Sequence, residues 1–165
     1  MALLDVHRRL ARLLPFVGEA RPGIRAQPEC VVLGVREGVA PSPKPPVRIF
    51  LGTEAAHYRA ERVFFWSIQQ VRDSGRFYEI HLMKELAGFA RRGWLTGFTN
   101  YRFAIPHFAA GSGKAIYNDV DQVYLADPGE LFDVDLGEHG FLALSDHDTA
   151  VMLIDCARMA SVWTL

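Results

Sequence analysis

An α/β fold with a mostly parallel sheet flanked by helices is predicted by three features of the sequence. "VRIFLG", "AAHYRAERVFFWSIQQVR" and "RFYEIHLM" follow one another as strand, helix and strand, the opening of a parallel sheet. A second apolar run, "KAIY", ends on two aspartates, Asp119 and Asp121, and leads into "VYL". Two further strand-like runs, "FLALS" and "TAVMLID", complete the sheet, and "CARMASVWTL" starts a last helix.

Taken in order, the chain begins with Leu3, Leu10 and Leu14 at helical spacing, with arginines on the opposite face. This predicts an amphipathic helix that packs on the domain; contact with a membrane surface is the alternative, since apolar and basic faces suit an interface. Asp5, His7, Arg8, Arg9 and Arg12 interrupt any secretory leader. "PFVGEARPGIRAQPE" is turn-rich, "CVVLGVR" reads as a short strand, and "EGVAPSPKPP" is a stiff proline linker. Residues 1–46 therefore read as a helical and Pro/Gly-rich appendage, and 47–165 as the main domain. After the strand–helix–strand unit comes a long connection, "KELAGFARRGWLTG". "FTNYRFAIPHFAAG" predicts a helix capped at Thr99 or Asn100 and weakened at Pro106. "DPGELFD" predicts a turn and short helix with Pro128 at its start.

Composition excludes several classes. At 165 residues there is room for one domain, and with 50% apolar residues a full core rather than disorder is expected. Eighteen basic residues against nineteen acidic ones leave no global charge for nucleic acid. No run reaches the roughly 18 apolar residues of a membrane span. Cys30 and Cys156 each sit in an apolar run, which predicts buried thiols and a reducing, cytoplasmic setting.

Asp119 and Asp121 are the residues that call for a ligand. In an extended chain they share one face, a few ångströms apart. Like charges so close repel unless a cation lies between them, and hard carboxylate oxygens suit Mg2+ or Mn2+. The sequence has ten aspartates, and Asp-x-Asp recurs at Asp133/Asp135 and Asp146/Asp148, so spacing alone is weak. Only the first pair ends a strand-like run, where open α/β sheets bind ligands. The other motifs are less telling. "GSGK", Gly111 to Lys114, lacks the phosphate loop's first glycine, with Phe108 in its place, and has Ala115 where Ser or Thr is needed, so it reads as a turn into the strand. No dinucleotide fingerprint follows "VRIFLG", and no Gly-x-Ser-x-Gly elbow is present. His57, His81 and His107 have aromatic or apolar neighbours and read as packing residues.

From Val47 to Leu165 the sequence resembles the glycosyltransferases of GT-A fold, in particular family 8 and related users of nucleotide sugars. The resemblance rests on "VRIFLGTE", "TNYRFAIP", "KAIYNDVDQVYLADPGELFD" and "TAVMLID", in the family's order; the most specific part is "xVYLxDPxELFD" after "RFAIP". It implies transfer of a sugar from a nucleotide-diphosphate donor, a UDP-sugar, to an acceptor hydroxyl. Asp119 and Asp121 would be the DxD aspartates that hold Mn2+ (or Mg2+) on the donor diphosphate. Gly52 and Thr53 would line the nucleoside pocket, though Gly52 equally fits a strand-ending turn. Arg102 would approach the diphosphate or the donor sugar, its alternative being a surface ion pair. Asp148 stands near the position where the family more often has a sugar-contacting asparagine; here the sequence departs, reading "SDHDTAVM". Asp146, His147 and Asp148 also suggest a metal cluster, but an Asp-rich turn explains them better.

The family's third metal ligand, a histidine, lies beyond the matched region. The resemblance therefore implies a domain incomplete at its C-terminus, weak metal binding and self-association through uncovered apolar surface, with a longer form as the competent enzyme. No acceptor base can be named. Two other classes stay open: a non-catalytic nucleotide- or partner-binding domain, and a nucleotidyltransferase. The second would carry a glycine-rich basic loop where "GTEAAHYRAE" stands.

Overall fold

The computed structural model of the chain describes residues 26–87, 89 and 96–163. The helix read around Leu3, Leu10 and Leu14 lies outside these residues, as do 88 and 90–95 of the long connection. Among the described residues six strands form one sheet: β1 Glu29–Leu33, β2 Val47–Gly52, β3 Tyr78–Met83, β4 Lys114–Asp119, β5 Phe141–Ala143 and β6 Val151–Asp155. Their spatial order is β1-β3-β2-β4-β6-β5. Helices α1 Tyr58–Val71, α2 Ile105–Phe108, α3 Pro128–Asp133 and α4 Cys156–Met159 flank it, with 3-10 turns at Ala55–His57 and Thr99–Ala104.

Parallel pairing is confined to the centre. β2 runs parallel to β3 and β4, whereas β1 pairs antiparallel with β3, β6 with β4, and β5 with β6. The sheet is therefore mixed. α1 provides the long crossover that parallel β2 and β3 require, while the short link from β5 to β6 can only join antiparallel neighbours. As the central strand, β2 is apolar on both faces: Val47, Ile49, Phe50 and Leu51 are all fully buried. β1 lies inside the segment read as an appendage, and from Glu29 that segment joins the edge of the sheet with Val31 and Leu33 inward. Cys156 is buried as expected, but Cys30 is exposed. The alternation of β1 that turns Val31 and Leu33 inward turns Cys30 outward.

Two apolar layers sandwich the sheet. On one face Ile49, Leu51, Ile80, Ile116 and Leu153 meet Phe64, Phe65 and Ile68 of α1 and Phe132 of α3. On the other, Phe50, Tyr117, Met152 and Ile154 meet Phe98, Tyr101 and Ile105, with Cys156 and Met159 of α4. Each such aliphatic side chain contributes about 1.5–3 kcal/mol of burial. The helical spacing of α1 was legible, but its inner stripe is Glu61, Phe64, Phe65, Ser67 and Ile68, and Tyr58, Val63 and Trp66 point outward. The three histidines pack on rings: His81 stacks on Phe50 at 4.5 Å, His57 meets the Phe98 edge at 5.9 Å, and His107 lies 5.4 Å from Phe108.

The expected helix at Thr99 takes another form. Thr99–Ala104 is a 3-10 turn whose N-cap is Phe98, so neither Thr99 nor Asn100 caps it. Pro106 sits in the first turn of α2, where its missing N–H costs nothing, so it opens a helix instead of weakening one. Gly111 and Gly113 take left-handed φ values of 59° and 64°, and the "GSGK" stretch is the turn into β4.

At the other end of the sheet the aspartates of "DPGELFD" are structural. Asp127 caps α3 through the Gly129 N–H at 2.8 Å and accepts the Tyr78 hydroxyl at 2.6 Å. Asp133 takes the Arg76 guanidinium with both oxygens, at 2.9 and 3.0 Å, and the Lys44 ammonium at 2.7 Å. Arg76 is only 2% exposed, donates to the Pro45 carbonyl at 2.8 Å, and lies over the Phe132 ring.

Candidate functional site

The two central parallel strands end side by side, with Gly52 of β2 in register with Asp119 of β4. Asp119 is held there by its own N–H, which donates to the Ala150 carbonyl at 2.8 Å, while the Val120 N–H donates to the Gly52 carbonyl at 3.1 Å. Counting back two residues along the same face reaches Tyr117. Its hydroxyl donates to Asp119 Oδ1 at 2.5 Å.

Arg102 comes from the 3-10 turn that covers this face. Its Nε donates to the Thr99 carbonyl at 2.9 Å, and its Nη1 to the Thr149 carbonyl at 3.0 Å and to the Thr149 hydroxyl. The guanidinium lies 4.5 Å over the Tyr117 ring, donates from Nη2 to the Tyr117 oxygen at 3.3 Å, and stands 3.5 Å from Asp119 Oδ1. Arg102 is buried, at 7% exposure, and the ion pair that it makes is with Asp119.

Asp121 does not share the strand face that its spacing suggested. β4 stops at Asp119, and the chain turns there, the Gln122 N–H donating to the Asp119 carbonyl at 3.3 Å. The pleat therefore does not align the pair. Asp121 is exposed, with Oδ1 accepting from Gln122 Nε2 at 3.1 Å. Asp148 sits in the exposed β5–β6 turn, where the Ser145 hydroxyl accepts its N–H at 3.0 Å and that of His147 at 3.2 Å. His147 Nε2 faces Asp146 Oδ2 at 3.5 Å in open solvent, and among the described residues no three His, Cys, Asp or Glu side chains gather tightly enough to enclose a metal.

The charges nevertheless act on one another. Burial pushes the Asp119 carboxyl above the usual carboxylate range; the Tyr117 hydroxyl and Arg102 oppose that, and the charges of Asp121 and Asp148 add to it. Burial, reinforced by Asp119, pushes the Tyr117 phenol up, so its proton stays available for donation. Two carboxylates fit what Mg2+ or Mn2+ takes from a protein, with water and phosphate filling the remaining positions.

Gly52 and Thr53 face opposite ways. A Cβ at Gly52 would stand 2.8 Å from Phe98 Cδ2 and closer still to the Tyr117 hydroxyl, so the glycine is required by protein packing around Tyr117. Thr53 is fully buried, and its hydroxyl donates to Glu61 Oε1 at 2.9 Å. Lys84 closes the network with contacts of 2.8 and 2.9 Å to the same carboxylate. Beside them lies a cavity of about 240 Å3 lined by Thr53, Glu54, Ala55, Glu85, Gly97 and Tyr101. Gly52→Ala is expected to cost about 1–3 kcal/mol through overpacking. Urea denaturation checks this; an unchanged midpoint would show that Phe98 and Tyr117 yield freely.

Tyr117, Thr149, Glu61 and Lys84 escape a motif reading. For Tyr117 there was a signal: the same two-residue period that pairs Asp119 with Asp121 also points back to it. Glu61 and Lys84 carry none, because their pairing joins a helix to the end of a strand.

Solved structures of glycosyltransferases share this architecture, and the chain has their GT-A-type fold. GlyE of Streptococcus pneumoniae TIGR4, in its apo form, is 18% identical, with a TM-score of 0.55 over 72% of this chain. The bifunctional glycosyltransferase WbbM, also as an apo structure, gives 0.58 at 14% identity over 75% of this chain. The galactosyltransferase LgtC, in complex with donor and acceptor sugar analogs, gives 0.50 at 17% identity over 71% of this chain. The chain spans 36% of the length of GlyE, 34% of WbbM and 63% of LgtC. No protein-family model matches the chain, and no curated protein matches it.

Proposed function

We propose that the chain is the donor-binding part of a glycosyltransferase that moves a sugar from a nucleotide diphosphate, a UDP-sugar, to an acceptor hydroxyl. What supports this reading is the placement of Asp119 and Arg102, 3.5 Å apart, where parallel β2 and β4 end, with the charges of Asp121 and Asp148 acting on Asp119, in a fold shared with glycosyltransferases. Kinship with family 8 is part of the proposal and rests on "TNYRFAIP" and "xVYLxDPxELFD".

Asp119 and Asp121 offer oxygen ligands to Mn2+ or Mg2+, whose bound form neutralises charge on the departing diphosphate. Arg102, oriented by Thr99 and Thr149, brings a fixed positive charge toward the diphosphate, with four of its five N–H groups already engaged within the protein. Asp148, exposed in the β5–β6 turn, would accept hydrogen bonds from a sugar hydroxyl. The cavity beside Thr53 takes the nucleoside, with Tyr101 as its aromatic wall. Unpaired thiols at Cys30 and Cys156 support a cytoplasmic setting, and among the described residues no helix is long and apolar enough to cross a membrane.

A calorimetric screen of UDP, GDP and their sugars, with and without Mn2+, tests the proposal. UDP and a UDP-sugar are expected to bind, and to bind more tightly with Mn2+. Nucleotide affinity indifferent to Mn2+, or no nucleotide binding at all, overturns it.

A further inference from the structure

The cavity beside Thr53 offers more hydrogen-bond acceptors than donors. Two of its lining residues are glutamates, Glu54 and Glu85, and Lys84, the cation next to Glu85 in sequence, is held by Glu61 at 2.8 and 2.9 Å. The Thr53 hydroxyl also donates to Glu61, and Glu54 Oε1 accepts the Gly97 N–H at 2.6 Å. Glu85 differs from these: among the described residues its half-buried carboxylate has no hydrogen-bond or ion-pair partner. A carboxylate can only accept, and holding one partly out of water without a donor is unfavourable.

Glu85 is nevertheless fixed from both sides. Lys84 before it is anchored on Glu61, and the N–H of Leu86 after it donates to the Tyr101 hydroxyl at 3.3 Å, which ties Glu85 to the aromatic wall. Tyr101 is itself braced by the Phe89 ring at 4.8 Å. Glu85 takes a left-handed φ of 54°, which glycine adopts freely and a residue with a side chain only at a cost. The fold thus bears strain for a side chain that makes no polar contact among the described residues.

We infer that Glu85 sets which base the cavity takes: its carboxylate accepts the ring N–H of a base such as uracil and disfavours cytosine, which presents a lone pair at that position. The inference rests on the reading of this cavity as the nucleoside site. The aromatic wall favours the base over the ribose as the donor, because only the base has a planar face to stack on the Tyr101 ring.

Glu85→Gly removes the carboxylate and suits the left-handed φ, so the variant should keep or raise its thermal midpoint. Calorimetry with Mn2+ compares UDP, CDP and deoxy-UDP on wild type and variant. Wild type is expected to prefer UDP over CDP by about tenfold or more, the scale of one charge-assisted hydrogen bond, and the variant to lose that preference by losing UDP affinity. The inference is overturned by a wild type without that preference, or by a variant that keeps it. A variant that loses only the preference for UDP over deoxy-UDP assigns the carboxylate to the ribose and overturns it too, as does a fall in thermal midpoint alongside affinity, which assigns Glu85 to the fold. If wild type binds no nucleotide, the proposed function falls and this inference with it; if both proteins bind UDP equally, the inference alone falls.

Discussion

Asp121→Ala is expected to abolish the Mn2+-dependent part of UDP binding while leaving the fold intact. Asp121 is exposed, lies two residues beyond the end of β4, and accepts a hydrogen bond from the side chain of Gln122. Its removal should change stability by no more than about 0.5 kcal/mol. Its proposed work is to supply one of the two protein ligands to an ion that otherwise relies on water and phosphate. In that proposed role Asp119 would make the ion's binding sensitive to pH. Burial holds this carboxyl above the usual range, and Asp121 and Asp148 push the same way. Protonation therefore competes with metal at a higher pH than for an ordinary aspartate, and Mn2+ affinity should fall early on acidification. Calorimetry of UDP with Mn2+ between neutral pH and pH 5 checks both statements. Equal Mn2+-dependent affinity in wild type and Asp121→Ala would falsify the metal role.

Asp133→Ala is expected to destabilise the fold, although the carboxylate reaches the surface. It strands the Arg76 guanidinium, 2% exposed, after removing a bidentate partner at 2.9 and 3.0 Å. A fully buried pair broken in this way costs about 3–5 kcal/mol; the Asp133 side chain is 33% exposed, so about 2 kcal/mol is expected. For a chain of this size that corresponds to a fall of roughly 4–8 °C in thermal midpoint. The pH dependence has a definite sign. The Arg76 hydrogen bonds lower the Asp133 carboxyl to about 2, aided by Lys44. A depressed folded-state value stabilises the fold above the unfolded value, about 3.9. That stabilisation disappears as pH falls through about 2. Wild type and Asp133→Ala should thus differ fully at pH 5 and converge toward pH 2, and parallel curves across that range would remove the ion pair from the account.

The same residue shows how far a motif reading reaches. Asp119/Asp121 and Asp133/Asp135 are identical as patterns, and only their flanking residues favoured the first as a ligand site. The structure accounts for Asp133 through Arg76 and Lys44, and for Asp135 through the Gly137 N–H at 2.9 Å. Neither partner of Asp133 is near it in sequence, so no local rule could have assigned it. Arg102 was legible as a candidate through its resemblance to a known motif. Its burial and its seat on Tyr117 were not, because they depend on a 3-10 turn lying across the end of β4.

What the sequence by itself determined is whatever acts within a few residues. The six strands are short apolar runs bounded by glycine, proline or charge. Pro128 opens α3 because its φ suits a first turn, and "GSGK" turns because two of its glycines take left-handed φ. Tertiary structure alone decided which face of α1 is inward, that the parallel pairing stops after three strands, and that β1 belongs to the sheet edge. It alone brought Arg102, Tyr117 and Asp119 into contact over Gly52, and joined Thr53 to Glu61 and Lys84. The physical reason is one of range. Backbone preference and hydrophobic period are properties of a segment, but burial of a charge has no favourable outcome until a partner from another segment is in place, and only the packed sheet supplies that partner.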